Sequence, residues 1–281
     1  MRLRSLLFVP GDRPDWMEKA GGAGADALIL DLEDSVAPDK KAAARGMVAW
    51  YLSRAPRPVP LFVRINPLES DFAREDLAAV IADRPDGVVL PKSAGAASVT
   101  ELDRRLTDLG DRTALILPLA TETPAAIFSL GGYGGLTPRL CGLTWGAEDL
   151  PAAIGATTSR EPDGSYTSPY EVVRSLLLFG AHAAGVPAIE TVYPAFRDLD
   201  GLTRYAERGR RDGFSGMLAI HPAQVAPINA AFSPSADEID WATKVVALFE
   251  QNPGSGSLSL DGRMVDAPHL KQALRVLAAK E

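Results

Sequence analysis

Two carboxylates stand where the chain could do chemistry: Glu122, in the stretch Leu119 to Pro124, and Asp149, in the stretch Thr144 to Leu150. Each follows an apolar run that reads as a buried strand, Ala114 to Leu119 and Leu140 to Trp145, and each precedes a helix-start signal. If those strands are neighbours in a parallel sheet, both acids leave it on the same side, close together. Mg2+ favours a near-octahedral oxygen shell, keeps several waters and is commonly held by one or two carboxylates while substrate completes the shell. Two acids without a neighbouring His or Cys suit Mg2+, or Mn2+ in its place. The same acids also fit helix caps, since the dipole favours negative charge at an N-terminus. Thr123 with Pro124, and Asp149 with Pro151, are cap and first-turn arrangements.

The elements that must position these acids alternate. Strand-like runs fall at Leu6 to Val9, Ala27 to Leu32, Leu61 to Ile65, Gly87 to Leu90, Ala114 to Leu119, Leu140 to Trp145, Pro187 to Val192 and Gly216 to Ile220. Helix-compatible stretches lie between them: Pro14 to Ala20, Lys40 to Ser53, Asp71 to Ala82, Ser98 to Leu109, Pro169 to Ala184 and Leu202 to Arg211. This alternation is that of consecutive βα units on a parallel sheet. It predicts an α/β fold, a TIM (β/α)8 barrel, although a doubly wound open sheet shares the pattern. The placement of polar residues favours a barrel with a working face. Asp31 to Asp34 follow the second strand, Arg64 to Asn66 the third, Lys92 the fourth, Glu122 the fifth and Glu148 with Asp149 the sixth, while Glu190 ends the seventh and His221 follows the eighth. Active sites of such barrels gather at the carboxyl ends of the strands.

Gly155 to Ser168, rich in Gly, Ser, Thr and Pro, reads as a long unstructured loop that serves as a lid or binding loop, or as a solvated excursion. The barrel is expected to span residues 1–232. Residues 233–281 then form a C-terminal helical extension: an amphipathic helix at Ala236 to Gln251, a flexible linker at Asn252 to Ser257, and a last helix after His269 ending near Lys280.

Composition sets the outer bounds. The 281 residues are 46% hydrophobic and 23% charged, ordinary for a globular protein. The net charge of -7 leaves no electrostatic footprint for nucleic acid or an anionic membrane. One cysteine, Cys141, excludes an internal disulfide and a thiolate cluster, and makes the reducing cytoplasm the default. Its apolar setting reads as core filling. The apolar run at the N-terminus is too short for a signal peptide or a membrane span, and reads as the first strand. His182 and His269 have no metal-ligand spacing, and no nucleophile elbow or Gly-rich phosphate fingerprint is present.

Taken together, Arg4 to Pro14, Asp31 to Val36, Arg64 to Asn66, Pro91-Lys92, Glu122-Thr123, Gly146 to Leu150, Ile220 to Pro222 with Gln224, and Met264 to Asp266 resemble the citrate lyase β-subunit-like proteins of the HpcH/HpaI aldolase superfamily, which includes malyl-CoA and citramalyl-CoA lyases. The resemblance runs in order along nearly the whole chain. It implies a TIM barrel, often trimeric or hexameric, that makes or breaks a carbon-carbon bond in a coenzyme A thioester with Mg2+. By that resemblance Glu122 and Asp149 are the metal ligands, Arg64 grips the 2-oxo acid, and Glu33 and Asp34 lie near the metal's waters. Gly146 and Ala147 fall beside the substrate. Asp266 comes from the C-terminal segment, often of a neighbouring subunit, and handles the proton at the acyl carbon. Two positions depart from the family's usual pattern: Met217 stands where Lys is common, and Glu190 where Asp is common.

The residue types support that chemistry. The planar fork of Arg64 suits a carboxylate, or a structural pair with Asp31, Glu33 or Asp34. Asp266 suits general acid-base work, or the cap of the helix after Pro268. An acidic protein must place donors for the diphosphate of coenzyme A, and Arg13 and Lys92 are the candidates. Arg4, Lys40 and Lys41 are expected to form surface salt bridges instead. The leading expectation is a Mg2+-dependent lyase that cleaves, or forms, a 3-hydroxy-3-carboxyl acyl-CoA such as malyl-CoA, citramalyl-CoA or citryl-CoA. An aldolase of free hydroxy-oxo acids, a malate synthase-like or thioesterase-like enzyme, and a non-catalytic binding subunit stay open beside it.

Overall fold

Eight short strands form one parallel sheet: β1 (Ser5–Pro10), β2 (Ala27–Asp31), β3 (Leu61–Arg64), β4 (Gly87–Leu90), β5 (Leu115–Pro118), β6 (Leu143–Thr144), β7 (Ala188–Glu190) and β8 (Gly216–Ala219). The computed structural model describes residues 1–279; Lys280, where the sequence places the end of the last helix, lies outside them. The strand order β5-β4-β3-β2-β1-β8-β7-β6 leaves β5 and β6 at the two ends. Isolated parallel bridges Ile116↔Leu140 and Leu119↔Thr144 join those ends and close the barrel. That closure puts the residues after β5 beside those after β6, the arrangement the two acids need.

The strands read as continuous apolar runs because both faces are covered. Leu6, Ala27, Ile29, Phe62, Val89, Leu117, Ile189 and Leu218 form one packed core cluster. Around them run α1 (Pro14–Ala20), α2 (Lys41–Leu52), α3 (Asp71–Val80), α4 (Ala96–Asp108), α5 (Pro124–Ile127), α6 (Leu150–Ile154), α7 (Ser168–Ala184), α8 (Leu199–Asp212) and α9 (Val225–Ala231). Pro14, Pro124, Pro151 and Pro169 each occupy a first-turn position, where the missing N–H leaves no bond unmade. Cys141 packs against the core cluster, and burial pushes its thiol up to about 12. None of the described helices is long and apolar enough to cross a membrane.

The chain gathers into two compact units, residues 1–229 and the residues from Ala230 onward. Within the second, α10 (Ala236–Gln251) opens on a capping box made by Ser235 and Glu238. The stretch between the expected linker and the last helix, which the sequence reading leaves without strands, is a hairpin. β9 (Ser257–Leu260) and β10 (Arg263–Asp266) pair antiparallel before α11 (Ala267–Ala278) begins. Asp261 and Gly262 turn the hairpin with φ of 51° and 78°, the conformation an Asp-Gly turn favours. Alternation in Ser257 to Leu260 gave the matching strand signal. Ala242, Val245, Val265 and Ala273 form this unit's own small core.

The stretch after Asp149 is also more ordered than its composition suggests. Arg160 and Tyr166 form an antiparallel bridge, and Tyr166 is buried against Trp145 with ring centroids 5.1 Å apart. An apolar anchor thus fixes a polar excursion.

The approach of the segment before β1 to β8 needs a glycine. A Cβ at Gly216 would overlap the backbone carbonyl of Leu3, which cannot swing aside as a side chain can. Gly216→Ala should lower stability by about 1–3 kcal/mol, as overpacking does, read as a fall in the urea midpoint with an unchanged slope. An unshifted midpoint would mean that the N-terminal segment yields freely.

Candidate functional site

Glu122 leaves the barrel just beyond β5, and Asp149 just beyond β6. Thr121 ties the two ends together: its hydroxyl accepts from Gly146 N–H at 3.1 Å and donates to Gly146 O at 3.2 Å. A Cβ at Gly146 would stand 3.2 Å from Glu122 Cγ and press on that side chain, so glycine leaves the carboxylate its position. The Glu122 and Asp149 carboxyls come within hydrogen-bonding reach of each other. Helix capping does not account for either acid. Thr123, not Glu122, caps α5, and Asp149 makes no side-chain cap bond at α6.

The pair is costly as two anions. Burial pushes Glu122 up to about 8; the Lys92 N–H opposes this, donating to Oε2 at 2.5 Å, while Glu33 and Asp149 add repulsion. Burial likewise pushes Glu33 up to about 7, with Arg64 opposing. Both Glu33 carboxylate oxygens are buried without a hydrogen-bond partner. Buried polar atoms in native proteins are nearly always satisfied. Two acids in mutual reach, with a third beside them that has ion-pair neighbours but no hydrogen bond, make a donor set that a hard cation and its waters would satisfy. Among the described residues no group of three His, Cys, Asp or Glu side chains could hold a metal, so a cation here would take Glu122 and Asp149 as its protein ligands.

Arg64 ends β3, and its guanidinium is fixed by acids from the turn after β2. Nε and Nη2 donate to the two oxygens of Asp31, both at 2.7 Å. Nη1 lies 3.0 Å from Glu33 Oε2 and 3.5 Å from Asp34 Oδ2. The ring of Phe8 supports the guanidinium at 4.8 Å. The bidentate fork expected for substrate is therefore occupied by Asp31, and only the remaining N–H groups of the two Nη atoms can receive an organic acid. Asp31, which the sequence reading left among the general acids of this turn, is the residue that aims Arg64. Burial notwithstanding, Arg64 holds Asp31 below the ordinary carboxylate range.

Arg64, Asp34, Glu122, Gly146, Glu148 and Asp149 all line one cavity of about 670 Å³ at the carboxyl end of the strands. His221 lines it too, with its ring stacked on Phe196 and Nδ1 accepting from Ala223 N–H. Trp16 and Lys19 of α1 complete one side, and sequence alone gave no reason to separate them from other helix residues. Arg13 stacks over Trp16 at 4.1 Å and pairs with Asp15 at 3.4 Å. Lys92 has a left-handed backbone, φ 49°, and an ammonium 3.8 Å from Glu33 Oε1. Although burial lowers its pKa, Asp149, Glu33, Asp34 and Glu122 together hold it above the ordinary value, so its charge belongs to the acid cluster. Ala147 is fully buried behind the loop.

Glu190 does not join the polar ring that the sequence pattern suggests. It is buried and accepts from Trp145 Nε1 at 2.5 Å, Arg174 Nε at 2.7 Å, Tyr205 OH at 2.9 Å and Thr191 N–H at 3.0 Å. Asp266 belongs to the second unit, where it caps α11 and contacts His269 Nδ1 at 2.5 Å. That contact keeps its carboxyl below the usual range.

Residues 4–222 match the HpcH/HpaI aldolase/citrate lyase family model. The chain is 35% identical to a (3S)-malyl-CoA thioesterase of Cereibacter sphaeroides, over 99% of this chain and 94% of that protein. It is 36% identical to a citrate lyase subunit beta-like protein of Mycobacterium tuberculosis, over 96% and 93% respectively. Among solved structures, protein CitE of Mycobacterium tuberculosis in complex with magnesium, acetoacetate and coenzyme A superposes with a TM-score of 0.83 at 34% identity, covering 99% of this chain and 98% of that one.

The raised carboxyls give cation binding a pH sign. Without a cation, Glu33 and Glu122 bind more protons folded than unfolded between their ordinary value of 4.5 and about 7 and 8, so their contribution to stability is lost as pH rises through that window. A cation must displace the proton at Glu122. The Mg2+-induced rise in melting temperature should therefore grow from pH 6 to pH 8, with proton release seen by calorimetry in buffers of different ionisation enthalpy. A pH-independent shift would place the ion elsewhere.

Proposed function

The chain belongs to the HpcH/HpaI aldolase/citrate lyase family, and we propose that it is a Mg2+-dependent carbon-carbon lyase acting on a 3-hydroxy-3-carboxyl acyl-CoA, or the reverse condensation of a 2-oxo acid with acetyl-CoA. The observation that carries this reading is the convergence of Glu122, Asp149 and an acid-fixed Arg64 on one cavity. The CitE structure with magnesium, acetoacetate and coenzyme A supports the ligand class.

Each residue's part follows from its chemistry. Glu122 and Asp149 would hold the ion, which when bound supplies Lewis-acid stabilisation of oxygen charge on the oxo-acid half. Arg64, with Nε and Nη2 immobilised on Asp31, receives the organic acid on its remaining Nη protons and orients it. Glu33 and Asp34 hold Nη1, and Asp34 also lines the cavity, where it would lie near the waters of a bound ion. Gly146 leaves the space that Glu122 and substrate share. For Asp266 the part is the one the family resemblance implies, a C-terminal acid, often a neighbouring subunit's, that would take the acyl-carbon proton in condensation and return it in cleavage; its contact with His269 favours the carboxylate such a base needs. Arg13, stacked on the cavity-lining Trp16, and Lys19 of the same cavity wall would meet the diphosphate of coenzyme A.

A second reading is thioester hydrolysis, favoured by the 35% identity to a (3S)-malyl-CoA thioesterase. Mass spectrometry of the products from (3S)-malyl-CoA with Mg2+ separates the two: cleavage gives glyoxylate and acetyl-CoA, hydrolysis gives malate and free coenzyme A. The lyase reading requires acetyl-CoA formed in equal amount with glyoxylate. Malate without glyoxylate would establish the thioesterase, and neither product from a panel of such thioesters would point to a binding subunit.

Glu122→Gln and Asp149→Asn should each reduce Mg2+-dependent turnover by about 100-fold or more, because the several kcal/mol that the ion contributes depend on both ligands. Melting without Mg2+ should change little, since each substitution also relieves repulsion. Full turnover in either variant would remove the metal assignment.

A further inference from the structure

Lys41, at the start of α2, reads in sequence as a surface charge. The structure buries it, 6% exposed, and its ammonium donates to two backbone carbonyls, Leu32 O at 2.8 Å and Glu33 O at 2.9 Å. Neither partner is a carboxylate. Burying an ammonium costs several kcal/mol before compensation, and an apolar side chain of similar length would fill the space without that cost. What the ammonium supplies, and an apolar chain cannot, is a fixed orientation for two peptide groups.

Those two peptide groups are not arbitrary. One joins Leu32 to Glu33 and the other joins Glu33 to Asp34, so together they define the φ and ψ of Glu33 and the direction of its side chain. The same turn is held from the other side by Asp31, whose oxygens accept from Glu33 N–H at 2.9 Å and Ser35 N–H at 3.1 Å. Asn66 adds a bond to Leu32 O at 2.9 Å, and is itself held by Asp76, which pairs with Arg45 at 2.7 Å. Of these braces Lys41 is the side chain that reaches the Glu33 carbonyl. The Glu33 carboxylate, lacking any hydrogen bond of its own, depends on its backbone to face Arg64 Nη1 at 3.0 Å.

We propose that Lys41 is a positioning residue: by fixing both peptide planes that bracket Glu33, it aims the Glu33 carboxylate at Arg64 and keeps the guanidinium turned toward the cavity. This rests on the reading of Arg64 as the grip for the organic acid. Misplacement of a reacting partner by about 1 Å can lower a rate by about 100-fold, so a brace behind the site is enough to matter.

The test uses the full chain with two readouts. In hydrogen exchange followed by mass spectrometry, Lys41→Met should speed exchange of the 33–36 amides by about tenfold or more while the β2 amides stay protected; this readout needs no substrate. In turnover of (3S)-malyl-CoA with Mg2+, Lys41→Met should lower kcat/KM by about ten- to a hundredfold. The same substitution made on a Glu33→Gln background should have almost no further effect, because residues acting through one another are not additive. Lys41→Gln, whose amide can serve one carbonyl, should fall between wild type and Met in both, and decides the matter if Lys41→Met does not fold. Unchanged exchange in the 33–36 segment overturns the proposal even if the protein proves to lack lyase activity. Full additivity with Glu33→Gln overturns it in an active protein.

Discussion

Crowding of negative charge in a dry cavity mouth is the constraint on which the structure turns. Glu33 and Glu122 are buried beside a half-buried Asp149, and burial first, with repulsion from neighbouring acids added, pushes Glu33 and Glu122 toward neutrality. Positive charge relieves part of this from the protein side. Arg64 stands against Glu33, and Lys92 adds both a backbone N–H to Glu122 and an ammonium to Glu33. The Glu122 and Asp149 carboxyls still lie within reach of each other, and a proton or a divalent ion shared between them would relieve the rest.

The barrel makes that crowding possible without unfolding. Both acids follow strands that meet at the closing seam, and Thr121 with Gly146 staples the two strand ends. On the opposite arc, Asp31 and Arg64 end the adjacent strands β2 and β3 in direct register. Asp31 and Arg64 thus end their strands, Glu33 and Lys92 stand two residues beyond theirs, and Glu122 and Asp149 follow four and five residues beyond β5 and β6, near enough to a rigid ladder to hold a site to small tolerances. The packed barrel interior supplies the apolar floor that strengthens every charge above it.

Much of this was legible in the sequence, for physical reasons. Strands buried on both faces leave unbroken apolar runs, so all eight were visible, and the acids after them marked the working face. Tertiary partners were not legible. Nothing local shows that the Arg64 fork closes on Asp31, that Lys41 is buried beneath the turn, or that Glu190 is consumed by Trp145, Arg174 and Tyr205. Those contacts join residues 9 to 45 positions apart through packing rather than periodicity. The C-terminal hairpin differs: Asp261-Gly262 between alternating strands was a readable turn, outweighed by the Gly and Ser content just before it.

Direct sight of the ion tests the central point most sharply. Crystals soaked in Mn2+, examined at its anomalous edge, should show one strong peak bonded to both Glu122 and Asp149, lost in Asp149→Asn crystals. Carboxylates that stay in mutual contact with no peak between them, at Mn2+ concentrations that saturate other hard-cation sites, would contradict a metal centre at this mouth.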